Sequence, residues 1–356
     1  MHAFNLRRSA LAVAAAGALV SLALLPATAA QAASSPGTTK AGWQAAIAHV
    51  PEQGSGCYQA SYPSLQWHSV ACVAAPKIPL VPASSTVPRA AASHTGPATV
   101  GDGTDYSAVV TGLISKATGT FTNVSSNISE TGNVGGSGSK VSNSFSLQLN
   151  SEFISGSPAC AKASSPTSCQ AWEQFVYTYN GGGTGDIYMQ YWLIDYDTSC
   201  PSGWTSYSED CYTNSNASEV SSLTAKQLAT VSLSATAVSG GNDAVSLSVG
   251  SGQATTVTAK DTKIDLAAYW NTTEWGVYGD GGGSAANFAS GNTLDAQTVL
   301  TATSSSAPTC VKEGFTGETN NLTLTATPAL GSESSPTMAS TQTYGATGAA
   351  SCATAS

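Results

Sequence analysis

From residue 95 to its end, this 356-residue chain has no histidine; the four present are His2, His49, His68 and His94. That excludes a Ser-His-Asp triad, a Cys-His pair and a histidine-ligated zinc site from most of the molecule. Charge is also scarce. Lys and Arg number 12 and Asp and Glu 21, together 9% of the residues, where a soluble domain carries about 25%. The net charge of −9 argues against nucleic acid, whose phosphates need a basic surface. After Leu25 no apolar run reaches the roughly 20 residues of a membrane span. No C-x-x-C unit or cysteine beside a histidine suggests zinc.

What is present begins with a targeting pattern. Arg7 and Arg8 precede an apolar run from Leu11 to Leu25, then Pro26 and the small residues around Ala30-Gln31-Ala32. This is the layout of a signal peptide over 1–32, exported by the general or the twin-arginine route. The expected location is therefore secreted and extracellular, with no transmembrane segment after cleavage. Export makes disulfides the expected state of the eight cysteines. Their clustering favours neighbour pairing: Cys57 with Cys72, Cys160 with Cys169, Cys200 with Cys211, and Cys310 with Cys352.

Residues 33–100 read as a leader, with a short helix near 42–49, the Cys57 to Cys72 loop and a Pro/Ala/Ser linker from Pro76 to Pro97. It is mildly basic, while residues 101–356 carry seven Lys against 20 Asp and Glu. The leader is either a prosegment docked by charge or a permanently attached spacer. From residue 101 to 327, short alternating segments bounded by Gly, Ser and Asn predict an all-β domain. The expected architecture is an antiparallel β-sandwich of bent sheets, concanavalin-like and stapled by disulfides. One short helical interval is expected over 265–270. Residues 328–356 read as a low-complexity tail, and the whole as a monomer.

Without histidine, catalysis falls to carboxylates, amides, hydroxyls or a hard metal ion. Glu274 lies in an aromatic strand, where desolvation would raise its pKa for acid/base work; the alternative is a rim residue facing solvent. Asp280, in Gly279-Asp280-Gly281, reads as a turn residue. Period-two alternation places Gln170, Trp172, Gln174 and Val176 on one face of a strand, with Glu173, Phe175 and Tyr177 on the other. Gln190 and Trp192 share a face of the next strand. Together they form either a polar-aromatic groove or an ordinary outer sheet face. Asp195-Tyr196-Asp197 and Gly240-Gly241-Asn242-Asp243 supply oxygens but not a calcium-loop spacing, so neither a metal nor a cofactor is assigned.

The order of these segments resembles the secreted glutamic peptidases called eqolisins. Asp105-Tyr106-Ser107-Ala108 and Ala117-Thr118-Gly119-Thr120-Phe121-Thr122 are similar to that family's N-W-A-G opening and V-T-G-x-F-T-V-P strand. Gln170 to Phe175 resembles L-Q-x-G-x-x-F, Ile187 to Ile194 resembles A-W-Y-E-W-Y-P, and Thr273-Glu274-Trp275 and Ala286-Asn287-Phe288 resemble A-E-W-I-V-E and A-D-F-G. The resemblance spans residues 101–302 and implies a catalytic pair of Gln170 and Glu274, with no metal. Glutamate would act as base and then acid, and the glutamine amide would hold the water and oxyanion. The chain has Tyr106 for the opening tryptophan, Phe145 to Leu149 for W-V-G-I-x-G, and Gln190 and Leu193 for the Glu and Pro of E-W-Y-P. It also resembles a group of secreted bacterial proteins of unassigned function.

Two functions from different classes follow. One is a secreted acid-acting endopeptidase on a polypeptide substrate, with Trp172, Gln174, Gln190, Trp192 and Trp275 lining the groove. The other is a non-catalytic module binding a surface glycan through its aromatic faces.

Overall fold

The computed structural model describes residues 39–50, 54–83, 99–347 and 351–352. The expected signal peptide at 1–32 and most of the Pro-rich linker lie outside the described residues. Strands dominate, as the period-two patterning predicts, and they form two antiparallel-dominated sheets of 14 and 11 strands. The larger sheet runs through 253–260, 242–249, 232–236, 114–122, 293–302, 335–344 and 319–324 in lateral order. The smaller one, which carries the site, is ordered 210–214, 184–194, 170–179, 146–151, 272–278, 107–109. Between the sheets lies the main core, including Phe121, Leu147, Leu149, Phe175, Tyr177, Met189, Tyr191, Trp270, Trp275 and Val277. This is an all-β sandwich.

Close packing fixes one glycine in that core. Gly119 lies under the Trp275 ring, and a Cβ there would sit 2.1 Å from Trp275 Cδ2. The indole is also pinned by Nε1–H donating to the Thr120 carbonyl at 3.0 Å, so the ring cannot slide aside freely. Gly119→Ala should therefore lower stability by about 3 kcal/mol, the upper end of overpacking effects. Urea unfolding checks this; an unchanged midpoint would contradict the packing argument.

All four disulfides join sequence neighbours as expected, with separations of 15, 9, 11 and 42 residues. Among the described residues there is no free cysteine, a state that fits an oxidising compartment. No described helix is long and apolar enough to cross a membrane. The Cys160–Cys169 bridge links the 3-10 turn Pro158–Lys162 to the residue just before the strand Gln170–Tyr179. Replacing both cysteines by alanine should cost about 2–3 kcal/mol through the unfolded chain, read as a lower urea midpoint.

The described stretches of the regions read as a leader and a tail include a helix and several strands that join the fold. The helix Lys40–Ile47 is capped by Thr39, whose Oγ1 accepts from Gly42 N–H. It buries Trp43 and Ile47 against Ala60 and Ala254. Gly56–Ser61 pairs with Gln253–Lys260, and Val73–Ala74 pairs with Asn216–Ser221. Within 328–356, read as a low-complexity tail, the described residues include the strands Ala329–Ser332 and Ser335–Tyr344. Ser335–Tyr344 lies between Thr293–Ala302 and Thr319–Leu324, burying Met338, Ser340 and Gln342 on alternate positions. Small hydroxylated residues form a strand there because Thr293–Ala302 pairs along one edge, and the hairpin strand Ala329–Ser332 together with Leu322–Leu324 pairs along the other. At 265–270 the expected helix is a 3-10 turn, Leu266–Ala268.

Candidate functional site

On the outer face of the smaller sheet, register aligns a row of carboxyl and amide side chains. Glu274 is opposite Asn150, Asn150 opposite Gln174, Gln174 opposite Gln190, and Gln190 opposite Asn214. The alternation that makes the row also fills the core. In Ser146–Ser151, Leu147 and Leu149 join the main core, so Gln148 and Asn150 point the other way. Asn150 Nδ2 donates to Glu274 Oε2 at 2.8 Å and to Gln148 Oε1 at 3.2 Å. Gln174 Nε2 donates to the same Gln148 oxygen at 3.2 Å. Gln148 Nε2 then reaches Glu318 Oε2 at 3.4 Å. Two glutamates are thus joined through amides.

Glu274 is fully buried. Its Oε2 also accepts from the main-chain N–H groups of Phe315 and Thr316 at 3.0 and 3.1 Å, while Oε1 has no hydrogen-bond partner. Gly314 closes over that oxygen, and a Cβ there would approach it to 2.6 Å. Asn150 Oδ1 and Gln174 Oε1 are buried and unpartnered as well. Burial, and then the nearby Asp105 charge, push the Glu274 pKa above the usual carboxylate range. Asp105 is also raised by burial, but Tyr278 Oη–H donates to it at 2.6 Å and favours its ionised form. The desolvated reading of Glu274 therefore describes this structure, and the solvent-facing reading does not.

The other expected residues are distributed unevenly. Gln170 shares the face but starts its strand, opposite Ile194 and Ser155, and its Nε2 donates to Ser155 Oγ at 3.3 Å. It lies four residues along the strand from Gln174, roughly 13 Å at the usual strand rise. The pairing of Gln170 with Glu274 is therefore not formed, because register brings Asn150 and Gln174 to Glu274 instead. Trp275 points into the main core, since it follows Glu274 in the strand, so it does not line the groove. Trp172 and Trp192 do lie on the site face, with Phe153, Ile194 and Phe315. Trp192 stacks on Tyr212 at 5.1 Å. All three tryptophans are enclosed, so none presents an open ring face. Asp280 is a turn residue as read, yet it is buried; it accepts from Tyr179 N–H at 3.1 Å, and burial pushes its pKa up to about 8.

Gln148, Asn150 and Glu318 lie outside the residues that the sequence pattern singles out. The Ser146-Leu147-Gln148-Leu149-Asn150 alternation was a usable signal for the first two. Nothing local marks Glu318, which reaches the row by a loop.

The face is covered by the chain's own residues 76–83. Asn214 Nδ2 donates to the Pro76 carbonyl at 2.9 Å, Tyr212 Oη to that of Lys77 at 3.0 Å, and Gly282 N–H to that of Pro79 at 2.8 Å. Leu80 N–H donates to Gln190 Oε1 and Val81 N–H to Glu318 Oε1, each at 2.9 Å. Beyond, Gly317 N–H donates to the Val81 carbonyl and Ala83 N–H to the Phe315 carbonyl, both at 2.8 Å, around an antiparallel bridge of Pro82 and Thr316. The outer face is thus a groove holding extended main chain, which composition alone had left undecided.

Among the described residues, no group of three His, Cys, Asp or Glu side chains is placed to hold a metal ion. Comparison with protein-family models, curated proteins and solved structures finds no match to this chain.

Proposed function

We propose that the protein is a secreted, acid-acting endopeptidase in which Glu274 is the acid/base group and the amides of Asn150 and Gln174 are its partners. The reading rests on one observation: Glu274, Asn150 and Gln174, paired across three consecutive strands, each keep a buried, unpartnered oxygen on the sheet face whose Gln190 and Asn214 end holds extended main chain. Buried polar atoms without partners are uncommon in stable folds and call for a physical explanation, of which a reacting group or bound water is one. A raised pKa keeps Glu274 protonated in acid, so it can give a proton to the leaving nitrogen of a peptide bond. The attacking water supplies the replacement proton, and the carboxyl returns to its starting state. The unpartnered amide oxygens of Asn150 and Gln174 accept hydrogen bonds from the attacking water and orient it, while the Asn150 N–H groups are already given to Glu274 and Gln148. For a substrate to reach Oε1, the 313–318 segment and residues 76–83 must move off the floor.

A second reading is favoured by the complete enclosure of Glu274: a non-catalytic secreted module that holds a peptide or glycan strand on this face. Digestion of a denatured protein mixture between about pH 2 and pH 7, with products identified by mass spectrometry, separates the two. New peptides that disappear with Asn150→Leu and persist with Gln170→Ala support the peptidase. No cleavage at any pH, after residues 76–83 are shown to be released, supports the binding module.

A further inference from the structure

Prolines recur at every third position in the covering segment, Pro76-Lys77-Ile78-Pro79-Leu80-Val81-Pro82. A three-residue period matches the polyproline II repeat, an extended conformation with no internal hydrogen bonds, which leaves its main-chain groups available to a partner. Proline also removes N–H donors at 76, 79 and 82. The donors at Leu80, Val81 and Ala83 all point to the protein, and the proline carbonyls of Pro76 and Pro79 are both bound. Side-chain readout is equally specific. Leu80 is fully buried against Val176, Tyr188 and Ala217, while Val81 packs on the Trp172, Trp192 and Phe315 cluster.

Charge plays little part in these contacts. Lys77 is exposed, and the carboxyl that meets the segment, Glu318, accepts a main-chain N–H rather than an ammonium. Burial raises the Glu318 pKa, opposed by the hydroxyl of Thr316 and the N–H groups of Val81 and Gly283. The docking therefore follows from an aromatic-lined groove with main-chain readers, the mode by which proline-rich strands are recognised, completed by strand addition at 315–317.

We infer that this groove is a recognition site for extended, proline-flanked polypeptide with an aliphatic residue at the Leu80 position, and that residues 76–83 are its resident self-ligand. The inference uses the same face as the proposed peptidase site and names its substrate class, with Gln190 and Glu318 as main-chain readers and Val176, Tyr188 and Ala217 as the specificity pocket. An external strand must displace the self-ligand, so the resting protein is closed to it.

The test uses the full chain carrying Leu80→Asp, which places a carboxyl in the aliphatic pocket. Hydrogen exchange over residues 76–83 should accelerate by about 100-fold while the 170–179 and 184–194 strands keep their protection. A synthetic peptide of residues 74–84 should then bind the variant, leave the wild-type chain unbound, and lose binding when it carries Leu80→Asp itself. If that variant fails to fold, Leu80→Ala serves, with about tenfold faster exchange expected. Unchanged exchange over 76–83, equal peptide binding by wild type and variant, or binding of a β-glucan oligosaccharide in place of the peptide would overturn the inference. Peptide binding without any proteolysis would overturn the catalytic reading alone. Proteolysis indifferent to Leu80 and its pocket would overturn this one alone.

Discussion

Acidifying the protein from about pH 8 to about pH 4.5 is expected to raise its thermal unfolding midpoint by about 10 °C. Most proteins behave the other way, because their carboxylates are stabilised as anions by the fold. Here burial raises the pKa of carboxyl groups throughout the sandwich. Glu130 and Asp280 are each pushed up to about 8, and Glu152 to about 7. Glu173 is raised by burial and then by Asp243 and Asp261 on the opposite side of the core. Asp243 is raised by burial and by Asp261, and Glu274 and Glu318 are raised as described above. Each folded pKa lies above the unfolded value near 4. The folded state therefore holds protons that the unfolded chain has released, and its stability is complete below about pH 4 and lost as pH climbs toward 7–8. One pKa unit is about 1.4 kcal/mol, so even half of these shifts amounts to several kcal/mol. No histidine lies between residue 95 and the end to mask the trend. Calorimetry across that range decides; a midpoint that falls on acidification would refute the carboxyl account.

The second large effect concerns Glu274. Glu274→Gln should reduce acid-pH proteolysis by about 1,000-fold, within the range that acid/base groups contribute, because the amide cannot exchange a proton with the leaving nitrogen. In acid the wild-type side chain is already neutral and close in shape to glutamine. The unfolding midpoint at pH 4.5 should therefore shift by only about 2 °C, while at pH 8 the variant should be the more stable of the two, having no buried charge to form. Activity that survives the substitution would remove Glu274 from the mechanism. Equal midpoints for variant and wild type at pH 8 would remove the argument for its raised pKa.

Several features of this molecule were readable because their causes are local. Period-two alternation in 170–179 sent Phe175 and Tyr177 to the core and Trp172, Gln174 and Val176 to the opposite face, as the sandwich requires. Cysteine pairs separated by 9 to 15 residues closed as neighbours, since short loops meet most readily. The absence of histidine after residue 94 limits the available chemistry on composition alone. The composition of each strand, however, carries no record of its register. Shifting the reading along 170–179 by four residues keeps Gln170 and Gln174 on one face, and only pairing through Asn150 selects which glutamine lies level with Glu274. The covering segment was hidden for a related reason. Much of its hold comes from main-chain groups, with Leu80 and Val81 as the packing side chains, and main-chain hydrogen bonds leave no trace in side-chain identity. Ser335–Tyr344 became an interior strand because Thr293–Ala302 offered it one edge, while a local hairpin with Ala329–Ser332 and the end of Thr319–Leu324 cover the other. The sequence by itself determined the strand periodicity, the local bridges and the histidine-free chemistry; long-range pairing decided the composition of the row, the enclosure of its carboxyl and the segment that fills the groove.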